Sequence, residues 1–393
     1  MKLVKFVKKV ISWSKEKFET KIISKLFLFS KVENIILFES VPDLSDSTKP
    51  VFDEMLKMGL NKKYEMVWLI TGNEEQYPKF DNVSYIQMFP KKFSERIKLL
   101  KLKATARCLI CCNYYLISQR KGQFSIYITH GSPLKCCKDY YVLPKEVNKC
   151  VVQAENWIEP VAKQMAVDLD RIVALGYPRN DVLSQPDFDL KKIFNGEFKK
   201  IVAWYPTYRQ HKSGKQTGSS NALPIVHDEK LAAELNDYAK EKGVLIIIKP
   251  HFAQDVSKIK SLNLSNIMLI NDNFFIENKI TSYQFIKSCD SMITDYSSVY
   301  YDYLLADKPV AVVWEDYDEY AKDPGFAVDT SFYLKAAEKI YNINDFKVYL
   351  DNLSSGKDLL AKERKEINEL VNYSSDGKNA QRVAEYIIKE GNL

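Results

Sequence analysis

Short runs rich in valine, isoleucine and leucine, separated by stretches of helical periodicity, constrain this chain more than any other feature. They fall at 34–38, 66–71, 84–88, 107–112, 125–129 and 149–153, and again at 200–205, 244–249, 267–270, 291–294 and 309–313. Strands that are apolar on consecutive residues are covered on both faces, which is the mark of parallel sheets joined by helical crossovers. The fold class is therefore α/β. A chain of 393 residues exceeds one ordinary core, and the two sets of units predict two Rossmann-like domains facing a cleft. The pattern breaks near 180–200, at Gln185-Pro186-Asp187 and a polar run, so the domains are expected at 32–190 and 191–393. The second should end in helices at 332–341, 345–354, 359–371 and 377–390.

Residues 1–31 stand apart. They hold nine lysines against Glu16 and Glu19, a local charge of +7, whereas the whole chain carries +6, so the remainder is close to neutral at −1. Leu3, Val4, Phe6, Val7, Val10, Ile11 and Trp13 recur at near-helical spacing among those lysines. No apolar run approaches the ~20 residues that span a bilayer. The segment reads as a basic amphipathic helix lying on an anionic membrane surface, and the rest as a body that does not bind nucleic acid. Cys108-x-x-Cys111 and Cys136-Cys137 are spaced like zinc ligands. Neighbouring strand residues face opposite ways, however, so the cysteines are better read as small buried side chains in a reducing setting, and neither a metal nor a cofactor is expected.

Candidate chemistry gathers where strands end. His130 follows one buried run and opens Gly131-Ser132-Pro133, and His251 follows another, after Lys249-Pro250. In open α/β sheets the ligand cleft lies beyond the carboxyl ends of the strands, so both point toward it. In Ile293-Thr294-Asp295-Tyr296-Ser297-Ser298-Val299 a buried strand meets a polar turn and then a helix. Asp and Ser there can cap the helix, and its exposed N–H donors suit an anion such as a diphosphate. His211 and His227 look like surface residues. The polar stretch 211–224 is the clearest loop, and no Gly-x-Gly-x-x-Gly or Walker loop is present.

Seven motifs occur in one order: His130-Gly131-Ser132-Pro133-Leu134-Lys135, Gly176-Tyr177-Pro178-Arg179-Asn180-Asp181, Pro206-Thr207-Tyr208-Arg209, Lys249-Pro250-His251, Thr294-Asp295-Tyr296-Ser297-Ser298 with Asp302, Lys308-Pro309 and Asp323-Pro324-Gly325. Together they resemble the CDP-glycerol glycerophosphotransferase family of teichoic acid synthesis, over about residues 34–370. The resemblance implies a GT-B fold and a peripheral enzyme on the cytoplasmic face of the membrane. It also implies a CDP-activated polyol phosphate donor and a lipid-linked saccharide or polyol-phosphate acceptor. His130 then falls on the general base for the acceptor hydroxyl and His251 on the second catalytic histidine, near the donor diphosphate. Thr294, Ser297, Ser298 and Arg209 fall on diphosphate contacts. Gly131, Arg179, Asp295 and Asp302 fall on structural or substrate-positioning places. Two positions depart from the family: Phe252 follows His251 where Pro is usual, and Lys49 precedes Pro50 where Asn is usual. The implied reaction transfers glycerol phosphate from CDP-glycerol and releases CMP. Its rivals are transfer from CDP-ribitol or another polyol donor, a GT-B glycosyltransferase using a nucleotide sugar, and a non-catalytic membrane-associated scaffold.

Overall fold

Two all-parallel sheets carry the structure, a computed structural model that describes residues 26–136, 142–194, 196–207, 223–250 and 256–393. The first contains β1 (Glu33–Glu39), β2 (Glu65–Ile70), β3 (Val83–Gln87), β4 (Ala106–Cys111), β5 (Phe124–Ile128), β6 (Lys149–Val152) and β7 (Ile172–Ala174), in the order β3-β2-β1-β4-β5-β6-β7. The second contains β8 (Lys200–Trp204), β9 (Val244–Ile248), β10 (Ile267–Leu269), β11 (Ser291–Thr294), β12 (Val310–Val313) and β13 (Glu338–Ile340), in the order β10-β9-β8-β11-β12-β13. Each order reverses once, between β1 and β4 and between β8 and β11, which opens a crevice at the strands' carboxyl ends. Two such domains facing a cleft make the expected GT-B arrangement.

Alternation along the strands explains the cores. Ile36 and Phe38 of β1 pack on one face with Phe52 of the Thr48–Lys57 helix and with Val383 and Ile387 of the Asn379–Gly391 helix. Leu37 faces the other way, into a cluster that runs on without a break to Met292, Tyr296 and Tyr300 beyond the domain boundary. The far face of the second sheet closes on Leu235 of the Glu229–Lys242 helix and on Phe346 and Leu350 of the Ile343–Ser354 helix. The last helix, although it follows the second sheet in sequence, thus returns to the first. Asp181 receives it, accepting the Asn379 and Ala380 N–H groups at 2.8 Å each.

The helix expected over 332–341 is a correction. Only Thr330–Tyr333 is helical, and Glu338–Ile340 is the edge strand β13 beside β12. Pairing along Ala311–Val313 and burial of Ile340 override a weak local helical pattern. The amphipathic helix expected over 1–31 lies outside the described residues up to residue 25. Where description begins, Arg120 donates to the Ser30 carbonyl and ties this segment to the first domain. No described helix is long and apolar enough to cross a membrane.

Candidate active site

A cavity of 320 Å³ opens between the domains, walled on one side by the turn after β5 and on the other by Ser297 and Ser298 after β11. Gly131 sets the spacing. A Cβ there would lie 2.5 Å from Ser298 Oγ, so a larger residue would force the Ser298 hydroxyl out of its present position facing this turn. The turn is also clamped from across the boundary: Cys136 N–H donates to Gly325 O at 3.0 Å and Ala327 N–H to Leu134 O at 2.9 Å. The Asp323-Pro324-Gly325 motif therefore braces the wall that carries His130.

His130 is an exposed residue at the cavity, with its Nδ1 edge turned to the protein. Its Nδ1 lies 3.1 Å from the Tyr127 hydroxyl and 3.3 Å from the Cys112 carbonyl oxygen. The Tyr127 hydroxyl can donate or accept, but a carbonyl can only accept, so it is the Cys112 contact that favours the proton of the neutral ring on Nδ1 and Nε2 as the basic nitrogen. Burial lowers the pKa of His130, with Asp46 opposing, Arg179 reinforcing and the Cys112 carbonyl opposing. The neutral form, the one able to accept a proton, is thereby favoured at neutral pH.

Behind the cavity lies a buried polar network centred on Asp302, which is 1% exposed. Its Oδ1 accepts from Gln153 Nε2 at 3.0 Å and Asn180 Nδ2 at 2.9 Å, and its Oδ2 from Arg179 Nη2 at 3.0 Å and the Tyr283 hydroxyl at 2.5 Å. Arg179 Nη1 in turn reaches Asp46 Oδ1 at 3.0 Å and the His130 carbonyl at 2.9 Å. One carboxylate on the Val299–Tyr303 helix is thus linked, through one guanidinium, to the backbone of His130. Burial opposes the charge on Arg179, but the Asp46 and Asp302 carboxylates it bonds to outweigh it and hold its pKa well up, so it stays charged.

Of the residues expected at the site, His130, Gly131, Ser297 and Ser298 meet at the cavity. Arg179 and Asp302 lie behind it as the cross-domain pair. Asp295 is fully buried and grips the Pro206-Thr207 turn, accepting the Thr207 N–H at 2.8 Å, rather than capping the helix. The Val299–Tyr303 helix has no side-chain cap from Ser298, while Ser297 Oγ accepts from Val299 N–H at 3.4 Å. Thr294, expected at the diphosphate, is instead fully buried and donates its hydroxyl to the Tyr205 carbonyl at 2.9 Å. It joins β11 to the end of β8 and does not face the cleft. His251, Arg209 and most of the 211–224 loop lie outside the described residues. His227 pairs with Glu315 at 2.5 Å and is only half-exposed. Cys108, Cys111, Cys112, Cys150 and Cys289 are buried, and burial pushes the Cys108 and Cys150 thiols up to about 12. Sequence reasoning missed Gln153, Tyr283 and Glu39, none of which sits in a recognisable motif, and passed over Asp46, although it lies beside Lys49-Pro50 in a segment compared with the family.

A family profile described as CDP-Glycerol:Poly(glycerophosphate) glycerophosphotransferase matches residues 22–389. The teichoic acid poly(ribitol-phosphate) polymerase of Bacillus spizizenii is 26% identical over 385 residues, covering 87% of this chain and 56% of that protein. The teichoic acid poly(glycerol phosphate) polymerase of Staphylococcus epidermidis is 25% identical over 342 residues, covering 75% and 43%. The chain thus spans about half the length of these curated relatives. Among solved structures, the wall teichoic acid polymerase TagF soaked with CDPG superposes with a TM-score of 0.73 at 18% identity, covering 100% of this chain and 99% of that one. That likeness establishes the shared fold.

Proposed function

The chain belongs to the CDP-glycerol:poly(glycerophosphate) glycerophosphotransferase family, and from that premise we propose that it moves glycerol phosphate from CDP-glycerol to a hydroxyl of a membrane-linked acceptor, releasing CMP. The observation that carries this reading is the shared cavity, with a basic imidazole on one wall and two serine hydroxyls on the other. The acceptor oxygen attacks the β-phosphorus as His130 Nε2 takes its proton. The new oxygen–phosphorus bond forms, the bond from the β-phosphorus to the bridging oxygen breaks, and that oxygen leaves on CMP. Such a transfer asks the protein for positioning and charge stabilisation rather than covalent chemistry. Ser297 and Ser298 supply hydroxyl donors for the diphosphate. His251, beyond β9, is assigned to the same diphosphate from its place in the family motif.

Membrane-surface attachment on the cytoplasmic side belongs to the same proposal. It is supported by the lysine excess of residues 1–31 and by Leu26 and Phe29, which are 63% and 90% exposed where that segment joins the body. Because the relatives include both ribitol-phosphate and glycerol-phosphate polymerases, CDP-ribitol is the second donor to test. The experiment measures CMP release from CDP-glycerol and CDP-ribitol, each with a lipid-linked polyol-phosphate acceptor, for the wild type and for His130→Ala. Preference for CDP-glycerol with loss of release in the variant is expected. Release from neither donor, or wild-type release by His130→Ala, refutes the reading.

A further inference from the structure

Glu39 ends β1, at the reversal between β1 and β4. It is fully buried, which is costly for a carboxylate. Its Oε2 accepts from Asn113 N–H at 3.0 Å and Cys112 N–H at 3.2 Å, while Oε1 has no hydrogen-bond partner among the described residues. Nothing in the transfer chemistry above uses this group. The peptide joining Cys112 to Asn113, however, has two ends: its N–H is held by Glu39, and its carbonyl accepts from His130 Nδ1 at 3.3 Å. A single planar peptide group therefore stands between a buried carboxylate and the imidazole.

We propose that Glu39 is a positioning residue for His130, acting through the Cys112–Asn113 peptide. The carboxylate polarises the peptide and strengthens its carbonyl as the acceptor for Nδ1–H. That holds Nε2 as the base and favours the imidazolium formed when Nε2 takes a proton. Hydrogen bonds in a chain reinforce one another by roughly 10–30% each. A carboxylate placed directly on Nδ1 orients the histidine of a catalytic triad in the same sense; here a peptide is interposed. The inference rests on the reading of His130 as base. Among the described residues, Asp46, Arg179 and Tyr127 face His130, and Lys135 lines the same cavity. Those facing Glu39 are Lys103 of the Phe93–Thr105 helix, Cys111 and Cys112. Asp46 is the rival carboxylate, but it is bonded to Arg179 at 3.0 Å.

The test follows the imidazoles directly. With only four histidines in the chain, nitrogen-labelled His130 is identified as the NMR signal missing from His130→Ala. In Glu39→Gln, which keeps the shape and removes the charge, the His130 pKa should fall by about half a unit, roughly a threefold change in proton affinity. kcat should fall roughly tenfold with KM for CDP-glycerol nearly unchanged. An unchanged His130 titration in the folded variant, or an effect on KM alone, overturns the proposal. Should Glu39→Gln not fold, Tyr127→Phe serves instead. It removes the other Nδ1 neighbour, and the Nδ1–H tautomer should persist, whereas a switch to Nε2–H overturns the proposal. These spectra need no turnover. Full transfer activity in His130→Ala would refute the base while leaving the Glu39–His130 coupling separately measured.

Discussion

The two walls of the cleft are built on the same strand–turn–helix plan and carry opposite chemistry. After β5 the first domain presents a titratable ring with Asp46, Arg179 and Glu39 arranged around it. After β11 the second presents neutral hydroxyls, and its two acids are withdrawn: Asp295 onto the Thr207 turn and Asp302 into the buried network. A wall meant to receive a diphosphate gains from donors and loses from facing carboxylates. A wall meant to take up a proton needs a group poised near neutral pH, and charges that hold it still. On the proposed assignment of roles, one fold, used twice, separates proton handling from anion binding by where it buries its acids.

Removing the titratable ring should break the contrast most severely. His130→Ala is expected to lower kcat by roughly 10²–10⁴-fold, the usual worth of a general base, with the melting transition retained. In the wild type the lowered His130 pKa fixes the sign of the pH dependence. Activity falls as pH drops through a value below 6.5 and is level above it. An acid limb centred above 6.5 would contradict the environment described.

Asp302→Ala strikes the bond between the walls. It leaves Arg179, whose side chain is only 10% exposed, with a single carboxylate, and breaking such a buried pair costs about 3–5 kcal/mol. Urea unfolding measures the loss. A smaller effect sharpens the donor side: Ser297→Ala with Ser298→Ala should raise KM for CDP-glycerol roughly tenfold, at about 1.4 kcal/mol per factor of ten, and change kcat less. An equal fall in kcat with unchanged KM would move these serines from anchoring the donor to the chemical step.

Asp181 offers a milder contrast with Asp302, since it too joins distant parts of the chain but lacks a bonded arginine. Burial pushes its pKa up to about 6 from 3.8, against the opposing N–H groups of Ala380 and Asn379. Between those values the folded chain binds more protons than the unfolded one, so this group's contribution to stability is full below pH 3.8 and is lost as pH rises through about 6. Melting curves across that window should show a pH slope that Asp181→Asn flattens.

How much could be read from the sequence follows the range of the interactions. Strands such as Val244–Ile248, buried on every residue, announce themselves. β13, three residues long, does not, because pairing with β12 rather than local pattern creates it. His130, Gly131, Ser297 and Ser298 were legible because strand-end turns in parallel sheets converge on the cleft. Of the partners of Asp302, Arg179 and Asn180 sit in a recognised turn motif, but Gln153 and Tyr283 were not legible, since Gln153 lies 149 residues away in the chain. Thr294 misled for a related reason: its motif places it at a strand end but says nothing of which face its hydroxyl takes.

The smallest expected effect concerns Lys49, where the family usually has asparagine. Lys49 sits in the first turn of the Thr48–Lys57 helix and pairs with Asp53 at 2.6 Å, one turn along and half-exposed. Exposed pairs at this spacing are worth about 0.3–0.5 kcal/mol. The side chain is engaged along its own helix, whereas the neighbouring Asp46 is the residue of this segment that reaches Arg179. Lys49→Asn should therefore shift stability by less than about 0.5 kcal/mol and leave kcat/KM for CDP-glycerol within twofold. A large gain in activity would instead show that this departure shapes acceptor use, and that the proton-handling wall extends beyond Asp46 into the helix.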